Sequence, residues 1–350
     1  MLQTNDLNVT KTIPLVSPQE LKREMPMTET AVQTVIDARS IIQNILDGKD
    51  KRLLMVVGPC SIHDPKIAQE YAGRLKILAD RVADHLYVIM RVYFEKPRTI
   101  VGWKGMINDP DLNGAGDIAK GLSMARKILL EINEIGLPAG SEMLDPITPQ
   151  YLAELISWAA IGARTTESQI HREMASGLSM PVGYKNGTNG NLDVALNAMQ
   201  SAYQPHRFIG IDQESRTSIL QTKGNPYGHV VLRGGADGPN YDADSVREAE
   251  NEIAKVGLRP LIMIDCNHAN SGKNPFKQED VLQNLIGQIR EKNQSIMGVM
   301  IESNLKAGNQ TYRAGVPLQY GVSITDKCLD WENTERIILN AHQQLSEHFV

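Results

Sequence analysis

Cys60, Arg91, Glu142, Arg164, Lys185, Arg233, Asp265 and Glu302 each end a short apolar run, and His268 follows three residues after Asp265. The runs are LLMVVGPC, YVIMR, LPAGSE, AIGAR, PVGYK, HVVLR, LIMID and VMIE. One ionisable residue at the end of a run is ordinary; eight in succession suggest the rim of a single site. Six cations belong to it: Arg91, Lys96, Arg98, Arg164, Lys185 and Arg233. Guanidinium groups offer a planar fork that matches phosphate and carboxylate, and lysine adds a compact charge. Gathered together, they would repel one another unless anions filled the space, and two phosphorylated small molecules would do so. A surface salt bridge is the simpler account of any one of them. It explains the set poorly, because most directly follow a buried apolar run. EKPRT (95–99) flanks Pro97 with Lys96 and Arg98, which suits a rigid phosphate clamp.

Cys60, His268, Glu302 and Asp326 offer a thiolate, an imidazole and two carboxylates. This mixed donor set suits one divalent ion of Mn²⁺, Fe²⁺, Co²⁺ or Zn²⁺ better than Ca²⁺ or Mg²⁺. Their spacing carries no signature of the CxxC kind. A lone buried cysteine is usually a small hydrophobe, and a lone histidine is often satisfied in a core. What joins the four is the shared rim. Lys185 admits a different chemistry, since a lysine desolvated among cations can form a Schiff base with a carbonyl.

These side chains need elements to hold them. Residues 1 to about 27 are polar and interrupted by proline, and read as an arm. Thr28 opens a helical pattern carried by Val32, Val35, Ile36, Ile41, Ile42, Ile45 and Leu46, with Gly48 as its stop. From Leu53 onward, short runs rich in Val, Ile and Leu alternate with helical segments such as 65–83 and 121–135. Near-continuous apolar strands separated by helices imply a parallel sheet covered on both faces. Eight such units favour a closed (β/α)8 TIM barrel, whose strand carboxyl ends converge on one face. The rhythm breaks between Lys185 and Arg233. There a helical stretch (191–203) precedes RFIGID and TSILQTKG, an inserted β-hairpin at about 206–228, ahead of the sixth barrel strand. The expected organisation is an arm and helix over 1–50, for oligomer or regulatory contacts, and a catalytic barrel over 51–350.

Composition agrees. The 350 residues are 41% hydrophobic and 22% charged, typical of a globular chain with a sizeable core. A formal net charge of −5 argues against a nucleic-acid or membrane partner held by general electrostatics. Three cysteines, Cys60, Cys266 and Cys328, are too few for a disulfide framework. The opening MLQTNDLNVTKT has no apolar signal region, and no apolar stretch reaches membrane-spanning length. A cytoplasmic location is the expectation.

Longer motifs then identify a family. GPCSIHD (58–64), RVYFEKPRT (91–99), GWKGMINDP (102–110), IGARTTESQIHREMASGLSMPVGYKNGT (161–188), LRGG (232–235), IDCNHANS (264–271) and IESNL (301–305) closely resemble type I 3-deoxy-D-arabino-heptulosonate 7-phosphate (DAHP) synthases of the bacterial, feedback-regulated kind. The resemblance runs from near residue 50 to SITDKCLDWENT (323–334). It implies condensation of phosphoenolpyruvate with erythrose 4-phosphate, with release of phosphate, at the opening of the shikimate pathway. By resemblance, Arg91, Arg164, Lys185 and Arg233 hold phosphoenolpyruvate while Glu142 places a water. Lys96, Pro97, Arg98 and Thr99 hold erythrose 4-phosphate, and Cys60, His268, Glu302 and Asp326 bind the metal.

The resemblance also implies a homo-oligomer, a tetramer by analogy, and an aromatic amino acid effector bound where the hairpin meets a neighbouring subunit's arm. The candidate pocket comprises Asp6, Leu7, Pro146, Gln150, Leu178, Ser179, Phe208, Gly210 and Leu220. Phenylalanine-sensitive members tend to carry bulkier or hydroxyl-bearing residues where this chain has Pro146 and Gly210. The smaller residues leave room for a phenol hydroxyl, so tyrosine is the expected effector. Turn geometry alone is the competing explanation for both. Cys328, two residues beyond Asp326, is expected to approach Cys60, and a disulfide between them on metal loss is a further expectation. Cys266 is expected in the packed layer around the seventh barrel strand. Asp265 has no role in contact with substrate or metal, and is expected to orient His268 or a neighbouring cation. Two other enzymes remain as alternatives: a sister phosphoenolpyruvate-dependent synthase acting on another phosphosugar, and a Schiff-base aldolase working through Lys185.

Overall fold

The computed structural model describes residues 4–313 and 315–347; the outer ends of the expected 1–50 and 51–350 units, 1–3 and 348–350, lie outside the described residues. The chain opens with helices α1 (Pro18–Glu24) and α2 (Glu29–Leu46). It then runs through β1 (Leu53–Gly58), α3 (Pro65–Arg81), β2 (Leu86–Arg91), α4 (Ile118–Glu134), β3 (Ala139–Glu142), α5 (Pro149–Leu152), β4 (Trp158–Ile161), α6 (Gln169–Gly177), β5 (Val182–Lys185) and α7 (Asp193–Ala202). After the hairpin strands β6 (Arg207–Ile211) and β7 (Thr217–Gln221) come β8 (Gly228–Leu232), α8 (Ala243–Lys255), β9 (Ile262–Asp265), α9 (Gln278–Arg290), β10 (Ile296–Glu302) and α10 (Trp331–Ser346).

Eight strands close into one parallel barrel in the order β1-β10-β9-β8-β5-β4-β3-β2. The alternation of side chains divides its core into two layers. Leu54, Val56, Ile89, Trp158, Ala160, Val231, Met263 and Met300 cluster together, joined by Ile42, Ile45 and Leu46 of α2. Met55, Val57, Val88, Met90, Ile264, Val299 and Ile301 pack instead with the surrounding helices, and Cys266 is buried in that layer. In the first cluster Trp158 donates its indole N–H to His229 Nε2 at 2.9 Å. Burial pushes His229 down to about 4, so its imidazole is neutral at physiological pH. No helix among the described residues is long and apolar enough to cross a membrane.

The hairpin forms a separate antiparallel pair, with Phe208 opposite Leu220 and Gly210 opposite Ser218. The arm is less uniform than its sequence suggests. SPQE (17–20) makes a capping box, in which the Ser17 hydroxyl accepts from Glu20 N–H and the Glu20 carboxylate accepts from Ser17 N–H, with Pro18 in the first turn. A seven-residue helix is too short to show periodicity, so hydrophobic spacing passes over it. It is tied down by Gln19 N–H donating to Gln213 O of the hairpin turn at 2.9 Å. Tyr151 Oη–H also donates to Val16 O at 2.7 Å.

The loop after β2 carries the phosphate-clamp residues, and its shape is fixed locally. Lys96 N–H donates to Lys104 O at 2.9 Å. Gly105 adopts φ +112°, where a Cβ would lie 2.1 Å from Phe94 O, so only glycine lets the two limbs of the loop close. Between them Glu95 is buried, its Oε2 accepting from Thr148 Oγ1 at 3.0 Å. Burial, reinforced by Asp145, pushes its carboxyl from an ordinary 4.5 up to about 8. The native state therefore keeps a proton that the unfolded chain releases, and stability falls as pH rises from about 4.5 to about 8. Glu95→Gln removes this penalty. Its stability relative to the parent is expected to grow across that window, by up to about 1.4 kcal/mol per pH unit. Urea denaturation at pH 5 and pH 8 measures it; a difference independent of pH shows that Glu95 is ionised in the native state throughout.

Candidate active site

Arg91, Glu142, Lys185, Asp265 and Glu302 are the last residues of β2, β3, β5, β9 and β10, while Cys60, Arg164 and Arg233 stand in the loops just beyond β1, β4 and β8. Because the barrel strands are parallel, all eight lie at one end of it.

The metal-capable residues converge. Donor atoms of Cys60, Glu302 and Asp326 lie within 4.8 Å of one another, and the Cys60 thiol donates to Asp326 Oδ2 at 3.5 Å. His268 Nε2 stands 3.9 Å from Glu302 Oε1. Glu302 Oε2 accepts from Asn267 Nδ2 at 2.6 Å. Its Oε1 is buried and 2.9 Å from Arg91 Nη2, yet the pair is not aligned as a hydrogen bond, and among the described residues the oxygen has no hydrogen-bond partner. Gln278 grips the Glu302 main chain through both its N–H and its carbonyl, at 2.8 and 2.9 Å. His268 sits at φ +52°, uncommon for a residue with a Cβ and characteristic of functional sites.

Burial pushes the Cys60 thiol up, Glu302 adding to this and Lys96 opposing it. Burial would also raise the Asp326 carboxyl, but Lys96 and His268 hold it below the usual range. An orphaned buried carboxylate oxygen beside a thiol, an imidazole and a second carboxylate fits a divalent transition metal, which would draw the thiol proton off. Cys60 N–H also donates to Cys328 Sγ at 3.4 Å, and all three cysteines are free.

The cations divide into two kinds. Arg91 and Lys185 are buried and neutralised from within. Arg91 lies 3.6 Å over the centre of the Tyr93 ring, donates to Cys60 O at 2.7 Å and to Pro59 O, and pairs with Glu302. Lys185 Nζ stands 2.7 Å from Asp265 Oδ2. Among the described residues, Lys96, Arg98, Arg164 and Arg233 form no ion pair with a carboxylate. Lys96 Nζ instead lies 3.2 Å from both Cys60 O and Cys60 Sγ. Arg98 Nε donates to Trp103 O at 2.7 Å. Arg164 is exposed and Arg233 half-buried. Burial lowers the Arg233 guanidinium; Asp265 opposes this, and the nearby Arg164 charge adds to it. Pro97 is half-buried and Thr99 exposed at the outer edge of the clamp. Glu142 is buried with Oε1 unpartnered, facing Gly162, where any Cβ would sit 2.2 Å from that oxygen.

Asp265 lies under the whole arrangement. Its Oδ2 serves Lys185 and is also 2.8 Å from His268 Nδ1, in ionic contact though the ring N–H is not aligned as a hydrogen bond. Burial alone would raise this carboxyl, but His268 and Lys185 hold it well below the usual range. Sequence reading passes over the amides Asn186, Asn267 and Gln278. Asn186 Oδ1 accepts from Arg233 N–H at 2.8 Å, and its Nδ2 donates to Gly234 O at 3.0 Å. Uncharged amides give no signal by type; adjacency in KNGT and DCNHANS marks the two asparagines, and nothing marks Gln278.

The candidate effector residues are spread over four places. Pro146 and Gln150 follow β3, Leu178 and Ser179 follow α6, and Phe208, Gly210 and Leu220 share one face of the hairpin. Gln213 Nε2 donates to Gln150 Oε1 at 3.0 Å, joining the first group to the hairpin turn. Asp6 and Leu7 stand on the arm, with Leu7 69% exposed.

Comparison with known proteins agrees with this geometry. The model of the DAHP synthetase I family matches residues 25–339. The Tyr-sensitive phospho-2-dehydro-3-deoxyheptonate aldolase of Escherichia coli (strain K12) is 53% identical over 343 residues, covering 98% of this chain and 96% of that protein. The Phe-sensitive aldolase of the same strain is 52% identical over 336 residues, covering 96% of each. A solved structure of phospho-2-dehydro-3-deoxyheptonate aldolase from Francisella tularensis SCHU S4 aligns with a TM-score of 0.94 at 48% identity, across 97% of this chain and 99% of that one. The chain belongs to the DAHP synthetase I family.

Proposed function

We propose that this chain joins phosphoenolpyruvate to erythrose 4-phosphate and water, giving 3-deoxy-D-arabino-heptulosonate 7-phosphate and phosphate at the first step of the shikimate pathway. The observation that carries the reading is the division of the cations. Among the described residues Arg98, Arg164 and Arg233 have no carboxylate partner, and they stand at the rim that carries the convergent Cys60, Glu302 and Asp326 donors with His268 beside them. Such a rim holds two anions side by side and screens their mutual repulsion.

Arg91, Arg164, Lys185 and Arg233 take phosphoenolpyruvate, and Lys96, Pro97, Arg98 and Thr99 take erythrose 4-phosphate. Cys60, His268, Glu302 and Asp326 hold one divalent ion of Mn²⁺, Fe²⁺, Co²⁺ or Zn²⁺. When bound there, it supplies Lewis-acid polarisation of the aldehyde carbonyl. The rim fixes the methylene carbon of phosphoenolpyruvate against that aldehyde, and positive character grows at the enol carbon as the new bond forms. Glu142 holds a water and accepts its proton as it adds at that carbon, and phosphate leaves from the resulting hemiketal. A Schiff base through Lys185 is disfavoured, because an amine held in a buried ion pair is a poor nucleophile.

Tyrosine is the effector in this reading. The two Escherichia coli relatives differ in effector but hardly in identity, 53% against 52%, so the choice rests on Pro146 and Gly210. The enzyme acts in the cytoplasm as a homo-oligomer, a tetramer. Exposed Leu7 and Ile13 on the arm, with Ile209 and Ile219 facing outward from the hairpin, support association through these parts.

Three outcomes test the proposal. Phosphate release from the two substrates should stop with a chelator and return with Mn²⁺; failure of the Mn²⁺-loaded protein to release phosphate sinks the reaction assigned. Arg164→Ala or Lys185→Ala should each cost at least about 2 kcal/mol of transition-state stabilisation, roughly thirtyfold in kcat/KM. Near-normal turnover removes that residue from the site. In the same assay tyrosine should inhibit at lower concentration than phenylalanine or tryptophan, and the reverse order overturns the effector choice.

A further inference from the structure

We propose that Asp265 is a positioning residue that couples metal binding at His268 to anion binding at Lys185 through one shared oxygen, Oδ2, so that filling either position strengthens the other. The inference rests on the substrate and metal reading above and deepens it.

The carboxylate is held without freedom to adjust. It is fully buried at the end of β9. Its Oδ1 accepts from Asn267 N–H at 3.0 Å, and its main-chain carbonyl accepts from Asn270 Nδ2 at 2.9 Å. Oδ2 therefore faces Lys185 Nζ at 2.7 Å and His268 Nδ1 at 2.8 Å from a fixed position. With Nδ1 turned to Asp265, Nε2 is the ring nitrogen left toward Glu302 and the metal ligands. A carboxylate on one imidazole nitrogen fixes the tautomer and raises the basicity of the other.

Lys185 makes the aligned hydrogen bond to Oδ2 and His268 Nδ1 only a charge contact, so the ammonium takes the larger share of that oxygen as the structure stands. An anion at Lys185 draws the ammonium hydrogens toward itself. The Oδ2 charge then falls more fully on the imidazole, making Nε2 a better donor to a cation. Conversely, a cation on Nε2 makes Nδ1–H a stronger donor that draws on Oδ2, releasing the Lys185 charge to an incoming anion. Linkage requires the two effects to be equal in free energy. Attraction through space between a bound cation and a bound anion adds coupling of the same sign, but it does not need Asp265.

Asn at this position separates the two contributions. Whichever way the amide lies, the negative charge shared by Lys185 and His268 is lost, and its N–H groups meet a donor, either that pair or the Asn267 N–H. The experiment is calorimetric titration of phosphoenolpyruvate into the full chain with and without saturating Mn²⁺, for the parent and Asp265→Asn, with folding checked by circular dichroism. In the parent, Mn²⁺ should tighten phosphoenolpyruvate binding by about tenfold or more, and in the variant this ratio should fall by about fivefold or more. Mn²⁺ affinity itself should drop by about 10–100-fold in the variant. A merely structural defect weakens each affinity but leaves their ratio intact, so a folded variant with the parental ratio overturns the proposal. If the parent binds phosphoenolpyruvate equally with and without Mn²⁺, the coupling fails while the substrate reading stands; a parent that binds none under either condition removes both. Should Asp265→Asn not fold, ¹⁵N-histidine NMR of the metal-free parent decides. A proton on His268 Nδ1 supports the relay, and one on Nε2 overturns it.

Discussion

Two buried ion pairs at the carboxyl end of the barrel, Arg91 with Glu302 and Lys185 with Asp265, set the terms for everything else that stands there. A charge removed from water is tolerated only with a partner and further hydrogen bonds, and removing one member of such a pair typically costs about 3–5 kcal/mol. Each pair here has that support. Arg91 is held by the Cys60 and Pro59 carbonyls and the Tyr93 ring, Glu302 by Asn267 and Gln278, and Asp265 by the Asn267 main chain. The pairs leave the floor of the site close to neutral. Among the described residues Arg98, Arg164 and Arg233 then carry the charge at the rim that no carboxylate pairs.

The layer beneath has to be neutral for this to hold. Trp158 and the uncharged His229 are buried there among Leu54, Val231 and Met263. Buried above this layer, the four members of the two ion pairs act at low dielectric, so their placement matters more than their number. That is why so many amides surround the site. Asn186, Asn267, Asn270 and Gln278 add no charge, yet they fix the main-chain and carboxylate positions from which the charged groups point. Gly162 serves the same end by leaving space beside Glu142.

How much of this was legible in the sequence follows from what sequence encodes. A continuous apolar run ending in a charge marks a buried parallel strand and its carboxyl end together, so the closed barrel and the rim could be read from LLMVVGPC through VMIE. The hairpin announced itself by breaking the alternation after Lys185. Helix α1 was hidden because its signal is a capping box rather than a period. The partition of the cations into paired and unpaired was also hidden. Arg91 and Glu302 lie on β2 and β10, both neighbours of β1 but not of each other, and no spacing along the chain reports a contact across a third strand. Asp265 could be recognised as an exception to the pattern of roles, but its two partners come from β5 and from a loop whose backbone conformation is rare. Its geometry needed coordinates.

The location of the metal-capable set adds a consequence for folding. Cys60 follows β1 and Glu302 ends β10, and these strands pair in register, with Gly58 beside Glu302. That contact is the seam where the first and last barrel strands meet. Asp326 comes from the segment beyond β10, which returns to the same seam. Ser303 bridges to Leu329, Gly308 bridges to Cys328, and Ser61 Oγ meets Thr325 Oγ1 at 2.8 Å. The donors therefore come together only when the two ends of a long chain have met, a contact with a large loop-closure cost. A metal ion that binds this set binds the closed barrel and not its open precursors, so its binding energy falls on barrel closure. The group that completes the chemistry would then also hold shut the seam on which the rim depends.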